Sequence, residues 1–153
     1  MIKNIILVLF SVLILSGCSS TSKSSLTKLY PVYLKYEKTT NEKNIVKLAD
    51  NFFSSRILKE LEEAGSIADS KDLLLFKNYI INKDSHYEKV NAHVGCLSIN
   101  GLDEENSPVI LSLKYTLMND SWLIDEIHIL YFESKEEFTK SAKCPNDFPN
   151  GFS

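Results

Sequence analysis

The sequence has few of the residues on which common catalytic motifs depend. Its 153 residues include only five glycines and three cysteines, and they contain no G-x-S-x-G, glycine-rich phosphate loop or C-x-x-C. These absences argue against serine hydrolases, nucleotide-binding proteins and thioredoxin-like oxidoreductases. Basic residues do not outnumber acidic ones, since 17 lysines and arginines stand against 20 aspartates and glutamates. No nucleic-acid partner is therefore predicted.

The N-terminal segment carries a long apolar run. It extends over eleven residues from Ile5 to Leu15 and follows a single lysine. A helix that spans a bilayer needs about 20 apolar residues, so this run fits the hydrophobic region of a signal peptide. The next residues complete the sequence Leu15-Ser16-Gly17-Cys18, which resembles the lipobox of bacterial lipoproteins. The resemblance implies cleavage before Cys18 and lipid on its thiol; the alternative is an ordinary secretory signal with a chance cysteine.

Four segments are predicted along the chain. Residues 1–17 form a lipoprotein signal peptide, 18–28 the lipidated cysteine and a flexible tether, 29–142 an α+β domain, and 143–153 a C-terminal tail. A flexible chain of ten residues spans roughly 17 Å on average, so the domain is expected to lie close to its membrane. Ser19 and Ser20 follow the cysteine, where enteric lipoproteins retained in the inner membrane have an aspartate. The resemblance implies a periplasm-facing lipid anchor in a Gram-negative envelope, with the outer membrane favoured.

Two further cysteines, Cys96 and Cys144, remain after lipidation. The exported compartment is oxidising, so we expect them to form a disulfide that holds the tail against the sheet. The alternative is a metal site that uses Cys96, His93 and a third ligand. His93 and Cys96 are three residues apart, which puts them on opposite faces of a strand. No metal or other cofactor is therefore predicted.

The first half of the mature chain has helical spacing of its apolar residues. Serines, an aspartate and a glycine at the ends of these segments are typical helix boundaries. The predicted helices are a short one with Leu29, Tyr33 and Tyr36, one or two turns at Ile45–Ala49, one from Ser54 or Ser55 to Gly65, and one capped by Asp69 or Ser70 with Leu73, Phe76, Lys77 and Ile80 in one row.

The second half changes to the alternating pattern of strands. The predicted strands are Tyr87–Ile99 with a bulge near Gly95, Val109–Leu117, and Trp122–Phe132, separated by a turn or loop over Asn100–Glu105 and a turn at Asn119-Asp120. The third strand has apolar residues on both faces, so we expect it to be central. Helices followed by antiparallel strands predict an α+β fold in which N-terminal helices pack on one face of a curved sheet.

Two motifs carry a resemblance to a known family. They are Tyr33-Leu34-Lys35-Tyr36 in the first helix and Trp122-Leu123-Ile124-Asp125-Glu126-Ile127 in the last strand. With this order of elements they resemble the nuclear transport factor 2-like superfamily, and within it the YbjP-type envelope lipoproteins. The resemblance implies a cone-shaped domain with an internal pocket. The superfamily includes isomerases, dehydratases, binding modules and immunity proteins, so the fold alone does not select a function.

Asp125, Glu126 and His128 form the densest group of titratable residues. On a regular strand Glu126 and His128 share a face with Trp122, so they could act as an acid–base pair inside the cone. The alternative, which we favour, is that these residues lie on a partly solvated sheet face, or that Asp125 closes a structural hydrogen bond. No catalytic residue is therefore assigned. Asp125, Glu126 and His128 are kept only as weak candidates.

Aromatic residues are the other candidates for a site. Tyr33, Tyr36, Tyr115 and Trp122 could line the cone pocket, or they could fill it. The predicted function is that of a non-enzymatic protein-binding or envelope accessory module. Two alternatives stay open: an immunity protein that neutralises a secreted antibacterial effector, and a small-ligand binder or acid–base enzyme that uses the pocket.

Overall fold

The computed structural model describes residues 29–148. The predicted signal peptide, Cys18, the tether and the last five residues of the tail lie outside this range. The described chain is α+β, and its four-stranded antiparallel sheet has the order β1-β2-β3-β4. Its elements are α1 (Leu29–Thr39), α2 (Ile45–Leu48), α3 (Ser55–Ala64), α4 (Lys71–Leu74), β1 (Asn82–Asn91), β2 (Val94–Leu102), β3 (Pro108–Met118) and β4 (Ser121–Tyr131), with short 3-10 helices at Ala49–Asn51, Phe76–Tyr79, Lys135–Glu137 and Pro145–Asp147.

The helices and the sheet contribute to a single hydrophobic core. Within α1 the apolar spacing is as predicted, because Leu29, Tyr33 and Tyr36 are all fully buried. Both halves of the chain contribute large, fully buried side chains to this core. They include Tyr33, Tyr36, Phe53, Phe76, Leu97, Ile99, Leu111 and Tyr115. Among residues 29–148, no helix combines the length and the apolarity that crossing a bilayer requires.

The boundaries of α3 confirm the predicted capping residues. Ser54 is the N-cap, and its hydroxyl oxygen accepts a hydrogen bond of 3.4 Å from the backbone N–H of Ile57. Gly65 ends the helix, and its N–H donates to the carbonyl of Glu62. A hydroxyl at the N-cap satisfies one of the donors that the first helical turn leaves free.

The prediction of one continuous fourth helix is wrong. The chain forms only the single turn α4, leaves helical geometry at Leu75 (φ −100°, ψ 32°) and continues as the 3-10 helix Phe76–Tyr79. The three successive residues from Leu74 to Phe76 are all buried, whereas Leu73 is 55% exposed. Three neighbours in sequence cannot all lie on one face of a regular helix, so burying them requires the break.

The predicted strand over Tyr87–Ile99 is two strands. Ala92 and His93 form a two-residue turn in which Asn91 pairs with Val94 and Ala92 has a φ of 50°. No bulge is present at Gly95, and the one register shift between β1 and β2 falls between Lys83 and Ser85. The prediction failed because alanine and histidine are not the residues that usually mark a tight hairpin turn.

The remaining connections are closer to the prediction. Asn119 and Asp120 form the expected hairpin turn, with φ angles of 48° and 60°. The expected loop between β2 and β3 covers residues 103–107, and the carboxylate of Asp103 accepts hydrogen bonds from the N–H groups of Glu105 and Ser107. Asn100-Gly101, predicted as part of this loop, lies within β2.

The prediction that the last strand is central is also wrong, since β4 lies at an edge of the described sheet. Its open edge is covered near Ile124, which forms an isolated parallel bridge with Phe53. The N–H of Ser54 donates to the carbonyl of Ile124, and the N–H of Ile124 donates to the carbonyl of Phe52. The segment before α3 covers the open edge of β4, and the two faces of β4 are covered as well. This coverage explains why an edge strand carries apolar residues on both sides.

Candidate functional site

The predicted pocket residues fill the interior of the domain. Tyr33, Tyr36 and Tyr115 are fully buried and Trp122 is nearly so. The ring of Tyr36 stacks on that of Phe76 with their centroids 4.8 Å apart. The sequence left open whether these four side chains line a pocket or fill it, and their burial within the hydrophobic core agrees with the second possibility.

The buried phenols differ in how their hydroxyls are satisfied. Tyr36 donates to the carbonyl of Leu74 at 2.6 Å, and Tyr33 donates to the carboxylate of Glu37 at 3.3 Å. Among residues 29–148 the hydroxyl of Tyr115 has no hydrogen-bond partner. Burial raises the pKa of all three phenols well above its usual range. They therefore stay neutral in the physiological pH range and cannot act there as bases.

A bulge in β4 decides which way the candidate acid–base residues point. Lys114 pairs with Glu126 but Tyr115 pairs with Ile124, so Asp125 is an extra residue between them. An extra residue reverses the alternation of faces along the strand. The apolar residues that join the core are therefore Trp122 and Ile124 before the bulge and Ile127 and Ile129 after it.

The prediction that Glu126 and His128 share a face with Trp122 and Ile124 is consequently wrong. Glu126 and His128 lie on the opposite side of the sheet from the aromatic core. Their carboxylate and imidazole do approach each other, with Oε1 and Nε2 3.5 Å apart, and the His128 side chain is 43% exposed. Asn146 from the C-terminal segment donates to Glu126 at 3.5 Å. The pair is close together, but it lies on a partly solvated surface.

Asp125 is a structural residue, as the favoured alternative expected. Its Oδ1 accepts hydrogen bonds from the hydroxyl of Ser54 at 2.6 Å and from Nε of Arg56 at 3.0 Å, and Lys114 Nζ lies 3.5 Å from Oδ2. Burial raises the pKa of Asp125, but the two hydrogen bonds and the two positive charges outweigh it and hold the pKa below its usual value. A carboxylate stabilised in this way is a poor general base.

The C-terminal segment crosses the second face of the sheet. The sulfur atoms of Cys96 and Cys144 lie at disulfide-bonding distance, with their Cα atoms 4.9 Å apart, in agreement with the expected pairing. The carbonyl of Lys143 accepts hydrogen bonds from the hydroxyls of Ser98 and Ser112, both at 3.1 Å. Sequence reasoning missed this polar row, although Ser98, Asn100 and Ser112 stand at alternate positions of strands and that spacing could have indicated a polar contact face.

Residues 29–148 hold no group of three or more histidine, cysteine, aspartate or glutamate side chains that could bind a metal ion. His86 is stacked on the ring of Tyr30 with centroids 3.6 Å apart. His93 lies in the turn between β1 and β2, where its carbonyl accepts a hydrogen bond from Leu117. Cys96, which the alternative metal site would have shared with His93, is engaged with Cys144.

An apolar groove lies between the helices and the edge strand. It encloses about 170 Å³. It is lined by Ile57, Leu61, Leu73, Leu74, Phe76, Ile127 and Ile129. The groove exists because the helix break exposes Leu73 and the bulge turns Ile127 and Ile129 toward α3. The sequence carried no direct signal for either event.

A second, larger depression of about 720 Å³ lies beside the β3–β4 turn. Its lining mixes polar and charged side chains, such as Lys35 and Asp50, with apolar ones, such as Phe52 and Met118. None of the predicted catalytic or pocket residues lines it. These two cavities thus differ in character, because the groove is lined by apolar residues and the depression is not.

Comparison with protein-family models, with curated proteins and with solved structures finds no match. The resemblance to the nuclear transport factor 2-like superfamily and to YbjP-type lipoproteins therefore stays a prediction from sequence patterns. Lipid attachment at Cys18 stays a prediction as well, since that residue lies outside 29–148. A function has to be argued from the geometry of the described residues.

Proposed function

We propose that this chain is a lipid-anchored envelope protein whose folded domain works by binding another protein. Cys18 carries the lipid, the domain faces the periplasm, and the outer membrane is the favoured location. The lipobox-like sequence Leu15-Ser16-Gly17-Cys18 and the oxidising environment implied by the Cys96–Cys144 pair both support an exported, anchored protein.

We also propose that the fold is a variant of the nuclear transport factor 2-like cone. The order of helices before a meander of four antiparallel strands supports this, and so does the core shared between them. The variant differs from the expected cone in its interior, because aromatic side chains such as Tyr36 and Phe76 occupy the space where a pocket would lie.

The apolar groove is the observation that carries the binding function. At about 170 Å³ it is smaller than ordinary small-molecule pockets of roughly 300–1,000 Å³. It suits one or two aliphatic side chains of a partner protein, and insertion of such side chains into a pocket is a common source of binding energy. Leu73 at its rim is 55% exposed, so its side chain is accessible to a partner.

The position of Glu126 and His128 favours protein binding over acid–base catalysis. The two residues lie away from the aromatic core, next to the C-terminal segment, and His128 is open to solvent. An acid–base enzyme requires a substrate cavity beside its base. The groove supplies no titratable side chain among its lining residues.

The proposal is tested by crosslinking the full chain in cells and comparing Leu73→Asp with wild type by mass spectrometry. We expect the recovery of one envelope protein to fall by on the order of ten-fold, since a charge introduced into an apolar contact is strongly unfavourable. Val46→Asp is the matched control, because Val46 is an exposed apolar residue on α2 that does not line the groove. Its recovery of the same partner should equal that of wild type.

The identity of the partner distinguishes the two binding roles. A component of the envelope machinery supports an accessory module, whereas a secreted effector supports an immunity protein. A partner whose recovery is equal in wild type, Leu73→Asp and Val46→Asp contradicts binding through the groove. If no partner is recovered above background, protein binding is contradicted and the small-ligand alternative is favoured.

A further inference from the structure

The two hairpin turns lie side by side at one end of the sheet. Ala92-His93 joins β1 to β2 and Asn119-Asp120 joins β3 to β4. In an antiparallel meander alternate connections fall at the same end, and here a hydrogen bond of 2.8 Å from Leu117 N–H to His93 O links the two hairpins. We call residues 90–94 and 117–121 the turn end. The loop over residues 103–107 lies at the opposite end.

Three apolar side chains are exposed at the turn end. Val90 is 44% exposed, and Val94 and Met118 are each 41% exposed. The opposite end also exposes apolar side chains, at Ile81 and Tyr131, but there the adjoining loop carries the acidic sequence Asp103-Glu104-Glu105. Of the two ends of the sheet, the turn end therefore exposes apolar side chains without an adjoining run of acidic residues.

The first described residue lies beside the turn end. A Cβ atom added to Gly95 would come within 2.6 Å of Leu29 Cδ1, so Leu29 packs directly over the strand two residues from the β1–β2 turn. The N–H groups of Leu29 and Tyr30 both donate to the carboxylate of Glu88. Later in α1, Glu37 pairs with Lys83 near the start of β1. The helix thus begins beside the β1–β2 turn, and its residues Lys35 and Thr39 line the depression next to the β3–β4 turn.

The length of the chain before Leu29 limits how far the domain can lie from a lipid on Cys18. Ten residues, from Ser19 to Lys28, separate the two. A flexible chain of that length spans roughly 17 Å on average and about 35 Å when fully extended. The sheet itself is about as long as that extended limit, since β3 has 11 residues at about 3.3 Å each.

We infer that the turn end rests on the bilayer that holds the anchor, with Val90, Val94 and Met118 in contact with lipid. The inference rests on the proposed lipid anchor at Cys18. The chain enters the domain beside the β1–β2 hairpin that carries Val90 and Val94, and apolar groups adjacent to an anchor gain from contact with the headgroup–acyl boundary. The acidic loop then points away from the membrane surface, where anionic lipids would repel it.

This orientation leaves the apolar groove accessible. Ile129 in the groove pairs with Leu111 on β3, far along the strand from the Asn119-Asp120 turn and closer to the acidic loop. A partner could therefore approach from the periplasm without displacing the domain from its membrane.

The test is photocrosslinking of the full lipidated chain in native membranes. The crosslinking amino acid p-benzoylphenylalanine replaces Val94 or Met118 at the turn end, and Ile81 or Tyr131 as matched controls, which are also exposed but lie at the other end. We expect phospholipid adducts on the order of ten-fold more abundant at the turn end, because the controls lie about one strand length from the interface. Two positions are used at each end, so that the test still gives a result if the substitution at one position disturbs folding.

The outcomes separate this inference from the proposed anchor. Lipid on the peptide that begins at Cys18 is measured by mass spectrometry in the same samples. Lipidated protein with equal adducts at both ends, or with more at Ile81 and Tyr131, overturns the orientation and leaves the anchor standing. Protein without lipid on Cys18 overturns both.

Discussion

The hydroxyl of Ser54 donates a hydrogen bond of 2.6 Å to the carboxylate of Asp125, and this contact joins the start of α3 to the bulge of β4. The same two segments are held together by two backbone hydrogen bonds, from Ser54 N–H to the carbonyl of Ile124 and from Ile124 N–H to the carbonyl of Phe52. Arg56, in the first turn of α3, donates to the same carboxylate oxygen and to the backbone carbonyl of Asp125. One carboxylate therefore fixes the helix that forms one wall of the apolar groove.

Replacing Asp125 by asparagine is expected to destabilise the domain. The change removes the negative charge that faces Arg56 and Lys114, and hydrogen bonds to a charged group contribute about 1–3 kcal/mol. Urea denaturation measures the free energy of unfolding. Glu126→Gln is the control, since Glu126 also lies near Lys114 but makes longer contacts. Equal loss in both variants would mean that Asp125 has no special structural role.

The contribution of Asp125 should depend on pH. Its pKa is lower in the folded protein than the usual value, so its stabilising effect is fully present above the unfolded pKa of about 3.9 and is lost as the pH falls through the folded pKa. The difference in free energy of unfolding between wild type and Asp125→Asn is therefore expected to be constant near neutral pH and to shrink below about pH 4. A difference that grows toward acid pH would contradict the assignment.

The helices with standard boundary residues were predictable from local patterns. Ser54 and Gly65 bound α3 as expected, and the spacing of Leu29, Tyr33 and Tyr36 predicted the buried face of α1. These features depend on neighbours in sequence, which a periodicity argument can detect.

The bulge at Asp125 could not be predicted in this way. The motif around it reads as a regular alternating strand, and only the contacts of its carboxylate with Ser54 and Arg56, about 70 residues away in sequence, explain why an extra residue is held there. Missing the bulge reversed the face assigned to Glu126 and His128. The hairpin at Ala92-His93 was missed for a different reason, because the pairing of β1 with β2 forms a turn that its two residues do not favour locally.

Removal of the disulfide is expected to lower stability and to loosen the C-terminal segment. Cys96 and Cys144 are 48 residues apart, and closing a loop of that size contributes about 3–4 kcal/mol in the chain-entropy description. The double variant Cys96→Ser/Cys144→Ser avoids free thiols. Thermal unfolding measures the loss, and hydrogen exchange at the N–H of Lys143, which donates to Ser98, reports on the segment. Unchanged exchange at Lys143 would mean that the segment is held by its hydrogen bonds alone.

The proposed lipid anchor predicts a change of cellular fraction for Cys18→Ala. Without the thiol no lipid can be attached, and several acyl chains are what make anchoring stable. Membrane and soluble fractions compared by immunoblotting should show the variant released from the membrane pellet. Ser19→Ala is the control, because it keeps the cysteine and should stay in the pellet. A Cys18→Ala variant that remains in the pellet would contradict anchoring by lipid.

Two of the three fully buried tyrosines of the core offer a matched test of how buried hydroxyl groups are satisfied. Tyr36 and Tyr115 are both fully buried, but only Tyr36 has a hydrogen-bond partner among the described residues, the carbonyl of Leu74. Tyr36→Phe leaves that buried carbonyl without its donor and should cost about 1–2 kcal/mol of stability. Tyr115→Phe removes a hydroxyl that makes no such bond, and it should be neutral or slightly stabilising.

Urea denaturation of the two phenylalanine variants decides between a dry, fully packed interior and one that holds a hidden polar partner. A neutral Tyr115→Phe agrees with a filled core in which the hydroxyl is tolerated rather than used. A loss at Tyr115→Phe as large as that at Tyr36→Phe would mean that the Tyr115 hydroxyl bonds to a buried water or ligand. That result would reopen the interior as a binding site and weaken the case for the groove as the functional surface.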